Sequence, residues 1–473
     1  MATVVLAGLA SAIGVAAASL SLFGLGAVGS FFAAFAIGSG LSLVSRALAP
    51  KLDLGTQMGG RSVMTREAAQ SRKIVYGRAR IGGNIVYLES TGDDNKYLYL
   101  VIAVAGHEID AYEEVWFNDE KIYNGSSFID GWASFVNISF YKGDQTAADS
   151  GLVSASATNN GKWTNDHKLL DTAYMVVRLE HDVDKFAQGL PNISTVIRGK
   201  KVLDPSNNST AWSQNPALCI YDYLRDTKYG LGESAANILT SSVTTAKGVC
   251  DEDVSLAAGG TQPRYTIDGV VDTASSIKSN IETMTGSMIG RLIYSGGKFE
   301  IHAGEYVAPT ITIDESMAVG EISVQTKQSR RNAFNGVKGV FVSEDDNYIV
   351  ADYPAQQSKT TAGNFEVTSP PSVRYKILEI GSTNFTLIGA SSNTVGLDFT
   401  ATGAGTGDGV ASLFLAQDGE PIYLDMPLPF TINNIRAQRI AKLALLRSRQ
   451  QEAITIPCNL TALKFKIGDN ISV

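Results

Sequence analysis

The chain has 473 residues with 39 Lys or Arg and 47 Asp or Glu, which gives a formal net charge of −8 at pH 7. This acidic balance argues against a protein that holds nucleic acid through its phosphates, because such binding needs clusters of basic side chains. The length predicts two to four domains of about 100 to 200 residues each. The 46 glycines, with many Val, Ile, Thr and Tyr residues after position 70, predict an α+β fold that is mostly β.

The first 50 residues, called the leader below, carry no charged side chain before Arg46. This uncharged stretch is twice as long as the roughly 20 apolar residues that a membrane-spanning helix needs. The string GLGAVGS at 24–30 divides it into two pieces of helical length, about 4–23 and 31–48, so we expect an apolar helical segment. It lacks the positive flank of a secretory signal. Three roles stay open: a resident membrane anchor, a segment that enters a membrane only at a particular moment, or a helical plug buried in protein. The bulky side chains that a plug or a membrane segment would use are Leu22, Phe23, Phe31, Phe32 and Phe35.

Residues 51–71 are polar and contain glycine, which is typical of a linker. A first β domain is expected over 72–205. It contains a hairpin that turns at Gly82–Gly83 and a central strand, Tyr97–Val104, that is apolar on both faces. Residues 124–170 are rich in Ser, Asn, Gly and Asp with isolated aromatic side chains, which indicates an exposed elaboration of this domain.

An α+β domain is expected over 206–320, and its most informative string is NPALCIYDYLRDTKYGLG at 215–232. Asn215 as an N-cap and Pro216 at the first helical position predict the start of a helix. Gly230 and Gly232 predict its end.

Two further helices and a hairpin complete this expected domain. The helices are predicted at 241–252 and from Ile277 to Met288, where apolar residues recur at helical spacing. The string RLIYSGGKFEIHAG at 291–304 follows and predicts two short strands around a Gly-Gly turn.

A second β domain is expected from two separated stretches, residues 321–372 and 421–473. Its first hairpin turns at the acidic residues Glu344, Asp345 and Asp346, which lack the ligand pattern of a calcium loop and are expected to be solvated. Residues 373–417, between the two stretches, alternate in polarity and are rich in Thr and Gly, which predicts a small inserted β module. The last strand has no terminating signal, so we expect the chain to continue.

One basic helix is expected over INNIRAQRIAKLALLRSRQQ at 432–451, where the Arg and Lys side chains at 436–449 surround a face of Ala and Ile. This is the one obvious basic cluster of the sequence. It could contact phosphate, but a solvated face or a face toward acidic protein is the preferred interpretation.

The sequence offers no constellation for catalysis, a cofactor or a metal ion. It contains no GxSxG nucleophile elbow and no Gly-rich loop followed by Lys-Ser or Lys-Thr. The string GLGAVG at 24–29 follows an Ala-rich run and not a strand, so no dinucleotide site is expected. Cys219, Cys250 and Cys458 and the four histidines lack the spacing of metal ligands. We therefore expect a protein that is not an enzyme.

Several strings, and their order, resemble the tail-tip and baseplate hub proteins of long-tailed bacteriophages. The strings are VYGRARIGGNIVY (75–87), IRGKKVLDP (197–205), NPALCIYDYLRDTKYGLG (215–232), the helix and hairpin at 272–303, RRNAFNGVKGVFV (330–342) and the ending at 434–473. The structural residues carried by these motifs are Tyr76, Gly77, Asn215, Pro216, Tyr229, Gly230, Gly232 and Arg331. The inserted module also resembles mobile β modules of phage structural proteins. The sequence departs at its start from the family protein that these strings resemble, because the long apolar leader has no matching counterpart there.

The resemblance implies a homotrimeric hub of barrel-like β domains at the distal end of a virion tail. Such hubs close the tail tube, organise the tip and its host-recognition fibre, and open for DNA ejection. The implied partners are two further copies of the chain, the distal tail and tail-tube proteins, the tape-measure protein and other tail-tip proteins. A host receptor would be reached through regions beyond residue 473, and DNA would be met only in transit.

Two other classes of protein remain open. A membrane-anchored bacterial surface protein or adhesin would use the leader as its anchor, although the missing positive flank disfavours an ordinary membrane orientation. A glycan hydrolase of the tail tip would need catalytic residues, and none are indicated. Because a tail carries no bilayer, we expect the leader to form a plug in the hub channel before ejection and to meet the host membrane afterwards.

Overall fold

A computed structural model gives the structure of the chain and describes residues 3–4, 60–309, 311–325, 334–449 and 453–472. Strands make up 34% of the structure and helices 21%, so the expected α+β, mostly β fold is confirmed. The helices are α1 Ser150–Asn159, α2 Pro216–Arg225, α3 Thr240–Asp251, α4 Ile277–Gly286, α5 Leu413–Asp418 and α6 Asn434–Ser448.

The strands are numbered in chain order. Those up to residue 212 are β1 Thr3–Val4, β2 Lys73–Tyr76, β3 Arg78–Ile81, β4 Asn84–Thr91, β5 Tyr97–Ala105, β6 Ala111–Phe117, β7 Glu120–Tyr123, β8 Val136–Tyr141, β9 Ala173–Glu180, β10 Ile193–Arg198, β11 Lys201–Asp204 and β12 Ser209–Trp212. Those from residue 253 to residue 325 are β13 Asp253–Ser255, β14 Thr261–Pro263, β15 Gly269–Asp272, β16 Arg291–Ser295, β17 Lys298–His302, β18 Ile311–Thr312 and β19 Ser323–Gln325. The remaining ones are β20 Gly336–Ser343, β21 Ile349–Gln357, β22 Thr360–Thr361, β23 Arg374–Glu379, β24 Asp398–Thr400, β25 Val410–Ser412, β26 Tyr423–Asp425, β27 Ala453–Thr455 and β28 Ile471–Ser472.

Two four-stranded antiparallel sheets enclose the core of the first β region. Their strand orders are β4-β5-β9-β8 and β3-β10-β6-β7, and neither closes into a barrel within the part of the chain that the structure describes. Side chains of β5 alternate between its two faces, as the pleat requires. Leu100 and Ile102 lie between the sheets, whereas Val101 packs with Leu152 of α1 and with Trp163 on the outer face.

The stretch 124–170, expected as an exposed elaboration, is partly integrated into this region. It supplies β8, which is an edge strand of the first sheet, and α1, which covers the outer face of that sheet. Asp149 caps α1 by accepting a hydrogen bond from the backbone N–H of Leu152 at 2.6 Å. The isolated aromatic side chains were the signal for this packing, because Trp132 and Trp163 are both buried.

Strand β2 is buried on both faces and belongs to two hydrophobic cores. Val75 lies in the core of the first β region, whereas Ile74 and Tyr76 lie in the larger core that contains α2, α3, α4 and α6. β2 also pairs antiparallel with β15 of the α+β region. The two regions are therefore joined by backbone hydrogen bonds as well as by side-chain packing.

The α+β region matches the sequence expectation except at helix ends. The α3 helix and the hairpin β16–β17 lie where they were predicted. The α2 helix begins at Pro216 as expected but ends at Arg225, earlier than Gly230, because the carboxylate of Asp226 accepts hydrogen bonds from the two backbone N–H groups of Lys228 and Tyr229. The α4 helix ends at Gly286, so Met288 is buried just outside it.

The inserted module has its own small core. Its sheet has the order β22-β25-β23-β24 and packs around Phe365, Tyr375, Phe385 and Phe399. Strand β22, which lies before the predicted range 373–417, pairs with β25 of this sheet. The host sheet β21-β20-β26 continues on the other side of the insertion, with α6 packed on β20 and β21.

A small C-terminal satellite, residues 311–325 and 453–472, is built from distant segments. β18 pairs parallel with β28, and the sheet β1-β27-β19 lies beside it around Ile313, Met317 and Phe465. The two described leader residues, Thr3 and Val4, form β1 and are therefore extended and not helical.

The rest of the leader lies outside the described residues. This holds for Leu22, Phe23, Phe31, Phe32 and Phe35, and also for the motif residue Arg331. Across the ranges that the structure does describe, no helix is both long enough and apolar enough to span a membrane.

Candidate functional site

The motif residues that the structure describes line the junction between β2 and helix α2. Tyr76 and Gly77 lie at the end of β2, Asn215 and Pro216 begin α2, and the segment from Tyr229 to Gly232 follows it. The phenol of Tyr76 donates a hydrogen bond to Oδ2 of Asp222, in the middle of α2, at 2.6 Å. The sequence motifs thus converge on one structural junction.

Four side chains form what we call the junction cluster: Tyr76, Lys200, Asp222 and Asp226. Lys200 Nζ donates to Asp222 Oδ2 at 2.7 Å and to Asp226 Oδ2 at 2.6 Å, and all three charged side chains are largely buried. One ammonium group therefore bridges the two carboxylates of a single helix face and ties the segment after β10 to α2.

Burial and charge set the protonation of this cluster. Burial raises the pKa of Tyr76 well above its usual value, and the neighbouring Asp222 adds to that effect. Although burial alone would raise the pKa of Asp226, hydrogen bonds from Lys200 and from the backbone of Tyr229 hold it below its usual value. Burial alone would lower the pKa of Lys200, but the carboxylates of Asp222 and Asp226 raise it. The phenol stays neutral while the amine and the Asp226 carboxylate stay charged at neutral pH.

Sequence reasoning quoted the string that holds Lys200 but did not single out this lysine or its two partners. The available signal was the spacing of Asp222 and Asp226, which are four residues apart and so lie on one helix face. No local sequence pattern connects that pair of carboxylates with Lys200, because only the tertiary structure brings the lysine to α2.

Gly77 is required by close backbone approach. Its φ is +63°, and a Cβ at this position would lie 2.0 Å from the carbonyl oxygen of Ile267 and 2.4 Å from Oδ1 of Asp268. Asp268 is fully buried and accepts hydrogen bonds from the backbone N–H of Arg78, from Gln214 and from Thr266 at 2.7 to 2.9 Å. Burial raises the pKa of Asp268, and these hydrogen bonds oppose that change. Gly77 thus lets β2 turn into β3 directly against the α+β region.

Asn215 caps helix α2 and also ties it to α3. Its Oδ1 accepts from the backbone N–H groups of Ala217 and Leu218 at 3.0 and 3.4 Å, and Pro216 occupies the first turn, as predicted. Its Nδ2 donates to the Lys247 carbonyl at 3.1 Å and to Asp251 at 2.8 Å. One buried amide therefore fixes the start of one helix against the end of the next.

The chain that follows α2 returns close to the helix. A Cβ at Gly230 would lie 1.9 Å from the carbonyl oxygen of Tyr223, so this position needs glycine. Gly232 has a φ of +74°, which favours glycine for a second reason. Tyr229 donates its backbone N–H to Asp226 at 2.9 Å. These three motif residues shape the turn after the helix and not the last turn of the helix itself.

Basic side chains of α6 dock this helix onto the α+β region. Arg436 donates to Thr266 Oγ1 at 3.0 Å, Arg439 donates to the carbonyl oxygen of Arg264 at 2.8 Å, and Arg447 donates to that of Ile289. The sequence predicted a solvated face or a face toward acidic protein. These three side chains do face protein, but their partners are one hydroxyl and two carbonyl oxygens and not acidic side chains.

The acidic turn between β20 and β21 is solvated at Asp345 and Asp346, as expected, while Glu344 also contacts the first β region. Glu344 accepts from Arg78 at 2.7 Å, and Arg80 donates to the carbonyl oxygen of Asn347 at 3.0 Å. Asp345 and Asp346 remain exposed. The ion pair was missed because its two partners are 266 residues apart in the chain.

The described part of the expected linker is also packed. Arg61 is half-buried and donates to the carbonyl oxygen of Pro429 at 3.0 Å, and Met64 donates its N–H to Asn192 at 2.7 Å. Burial lowers the pKa of Arg61 to about 10, and the nearby Asp272 opposes that change. The chain that leads out of the leader is therefore held at the boundary between the first β region and the second.

His107 is buried beside β2 in a fixed tautomer. Its Nε2 accepts from the backbone N–H of Val75 at 2.9 Å, so its Nδ1 carries the proton and donates to the carbonyl oxygen of Glu108 at 2.7 Å. Burial lowers the pKa of His107 to about 4. A second proton would abolish the hydrogen bond to β2.

The structure provides no centre for metal or thiol chemistry in the ranges it describes. No group of three or more His, Cys, Asp or Glu side chains there could hold a metal ion. Cys219 and Cys250 are buried, Cys458 is half-buried, and all three are free thiols. A polar cleft of about 550 Å³ beside Trp116 is lined by Arg78, Glu113 and Arg198. Glu113 forms an ion pair with each of the two arginines.

Comparison with known proteins gives the family context. No protein-family model matches the chain. The chain is 25% identical over 190 residues to the tip attachment protein J of Escherichia phage SECphi27, which covers 37% of this chain and 16% of that protein. It is 22% identical over 345 residues to the baseplate hub protein pb3 of Escherichia phage T5, which covers 58% of this chain and 36% of that protein. The chain is thus similar to a phage tip attachment protein and to a phage baseplate hub protein.

A solved structure agrees with this relationship at the level of the fold. A chain from the virion of a native gene transfer agent particle matches with a TM-score of 0.52 and 13% sequence identity, covering 100% of this chain and 91% of that one. At 13% identity this match shows a shared fold. The chain spans between about a sixth and a third of the length of the two phage proteins that it matches.

We expect Lys200→Met to destabilise the protein strongly, because it leaves two largely buried carboxylates without their cation. The free energy of unfolding should fall by about 2 to 4 kcal/mol, measured by urea denaturation. The matched control is Lys359→Met, whose partner Glu379 lies 3.2 Å away with both side chains more than half exposed. That control should cost less than about 1 kcal/mol. Equal losses in the two variants would contradict the role given to the junction cluster.

His107 should make the protein less stable as the pH falls. The unfolded chain binds a proton at this site near pH 6.5, whereas the folded chain does not until about pH 4. The contribution is therefore constant above pH 6.5 and is lost between pH 6.5 and 4, by about 3 kcal/mol in total. The charged groups around the ring are Lys200, Lys228 and Asp226.

The measurement is the free energy of unfolding from pH 7 to pH 4. His107→Gln keeps an oxygen acceptor for Val75 and should flatten the pH dependence. His181→Gln, at an exposed histidine, controls for the loss of a ring elsewhere. An unchanged slope in His107→Gln would show that other groups cause the acid sensitivity.

Proposed function

We propose that the chain is the structural hub of a phage tail tip. In this role it closes the tail tube, organises the tip and the host-recognition fibre, and opens for DNA ejection. The observation that carries the proposal is the similarity to a baseplate hub protein over 58% of the chain, with the described motif residues gathered at one internal junction. We propose a structural role without catalysis, in keeping with the names of both phage relatives.

The proposed assembly is a homotrimer. Unpaired sheet edges support it, because β21 is a nine-residue strand at the edge of its sheet, and such edges favour pairing or coverage by another chain. The proposed partners are the distal tail and tail-tube proteins, the tape-measure protein and other tail-tip proteins. A host receptor would be engaged by regions beyond residue 473, and DNA would pass through in transit.

The leader is proposed as a plug of the hub channel that enters the host membrane after opening. Its uncharged residues need an apolar environment, since burial of apolar surface is worth about 25 cal/mol per Å². A threefold hub offers its central axis, where three leaders and the end of the tape-measure protein would pack together. Opening would remove that environment, and the host membrane would supply the next one.

The hub proposal is tested on purified virions. An antibody raised against residues 100–300 is expected to label the distal end of tails in negative-stain micrographs. An antibody against a tail-tube protein serves as the control and should label along the shaft. Label on bacterial envelopes with none on tails would favour the alternative, a membrane-anchored surface protein or adhesin.

The leader proposal is tested by charge. Carboxylates are placed in the apolar stretch by three substitutions, Phe31→Asp, Phe32→Asp and Phe35→Asp. They should reduce tail assembly if the leader is packed as a plug. They should reduce liposome leakage and DNA entry if the membrane step is essential. Ser42→Asp, at a polar position of the leader, is the matched control. Normal assembly, adsorption and DNA entry in all three Phe variants would contradict both roles.

A further inference from the structure

The short helix α5 leads out of the inserted module and packs on two sides. Leu413 packs against the core of the module, whereas the next residue, Phe414, packs against the larger core that contains α2, α3, α4 and α6. Leu415 and Ala416 are buried as well, and α5 lies on strand β23 of the module. The helix therefore belongs to the module and to the body of the protein at once.

Asp418, the last residue of α5, binds two other segments of the chain. Its carboxylate forms a bidentate ion pair with Arg449, in which Nη1 and Oδ1 are 3.1 Å apart, and it accepts a hydrogen bond from Nδ2 of Asn335 at 3.0 Å. The side chains of Arg449 and Asp418 are only 10% and 15% exposed, and Asn335 is buried. Bidentate pairing of this kind fixes geometry as well as adding energy. We call these three side chains the Asp418 clamp.

The clamp lies where the chain crosses between the host sheet β21-β20-β26 and the C-terminal satellite. Asn335 directly precedes β20, and β20 follows the satellite strand β19 in the chain. Arg449 directly follows α6 and lies shortly before the satellite strand β27. One carboxylate from the exit helix of the module is thus bonded to the crossing that enters the host sheet and to the crossing that leaves α6.

Further contacts hold Asn335 and Arg449 in place. Nδ2 of Asn335 donates to the carbonyl oxygen of Glu420 at 2.7 Å, and its Oδ1 accepts from the backbone N–H of Ile422 at 2.8 Å. The guanidinium of Arg449 lies over the ring of Phe414, with Cζ 4.5 Å from the ring centroid. Because separating a buried ion pair is costly, a shift of α5 carries both crossings with it.

We propose that the Asp418 clamp couples the inserted module to the C-terminal satellite. A contact or a force that shifts the module shifts α5, and through Asp418 it shifts the two crossings that lead to β19 and β27. The module is then a lever on the satellite and not an independent decoration of the surface. This coupling does not depend on the proposed hub role.

The test is hydrogen exchange, measured by mass spectrometry on the full chain with Asp418→Asn. This variant removes the ion pair but keeps an oxygen that can accept from Asn335. We expect exchange to accelerate in α5 and also in peptides that cover β19 and β27, by about 5-fold or more. Strands β23 and β25 should keep their protection, because the core of the module around Phe385 is separate. Arg449→Lys keeps the charge but not the paired donors, so it should give the same pattern to a smaller extent.

The matched control is Asp398→Asn. Asp398 also pairs with basic side chains, Arg374 at 3.1 Å and Lys376 at 3.2 Å, but both partners lie within the module. This variant should leave exchange in the satellite unchanged. An equal response of the satellite to Asp398→Asn would overturn the coupling.

Two other outcomes would also overturn it. Faster exchange that is confined to α5 and the end of α6 would show that Asp418 acts only locally. Loss of protection across the whole module in both Asp418→Asn and Arg449→Lys would show that the clamp maintains the fold of the module and not its link to the satellite.

Discussion

Burial of β2 on both of its faces is the constraint on which the rest of the structure depends. Val75 faces one core while Ile74 and Tyr76 face another. A slip of one residue would exchange these side chains between the cores, and it would move the Tyr76 phenol away from α2. The left-handed turn at Gly77 follows at once, so the register of β2 also sets where β3 begins.

Three regions meet within a few residues of that turn. Arg78 and Arg80 hold the hairpin β20–β21 against the first β region, and Asp268 holds the α+β region against the backbone of Arg78. Any motion that separates two of these regions must break buried or half-buried hydrogen bonds, each of which costs more to lose than an exposed one. The geometry favours one rigid unit, as a scaffold at the end of a tail would need.

Local signals predicted the starts of elements better than their ends. The Asn-Pro pair at 215–216 predicted the start of α2, because an N-cap acts within three residues. The predicted end of α2 was wrong because the turn at Asp226 is stabilised by a hydrogen bond from Lys200, which is 26 residues away in the chain. Strand β22 was not predicted, because its two residues leave no pattern in the sequence. The domain boundaries, and the roles of the leader residues such as Phe31, stay predictions.

The pairing of β1 with β27 has a consequence for synthesis of the chain. Thr3 pairs with Ala453, so about 450 residues must leave the ribosome between the two strands. At about 5 to 20 residues per second, that interval lasts roughly 20 to 90 s. Throughout it the leader is outside the ribosome while its described partner strand does not yet exist. An uncharged segment in that position is exposed to aggregation, so biogenesis of this protein calls for a chaperone or an early assembly partner that shields the leader until the last strands are made.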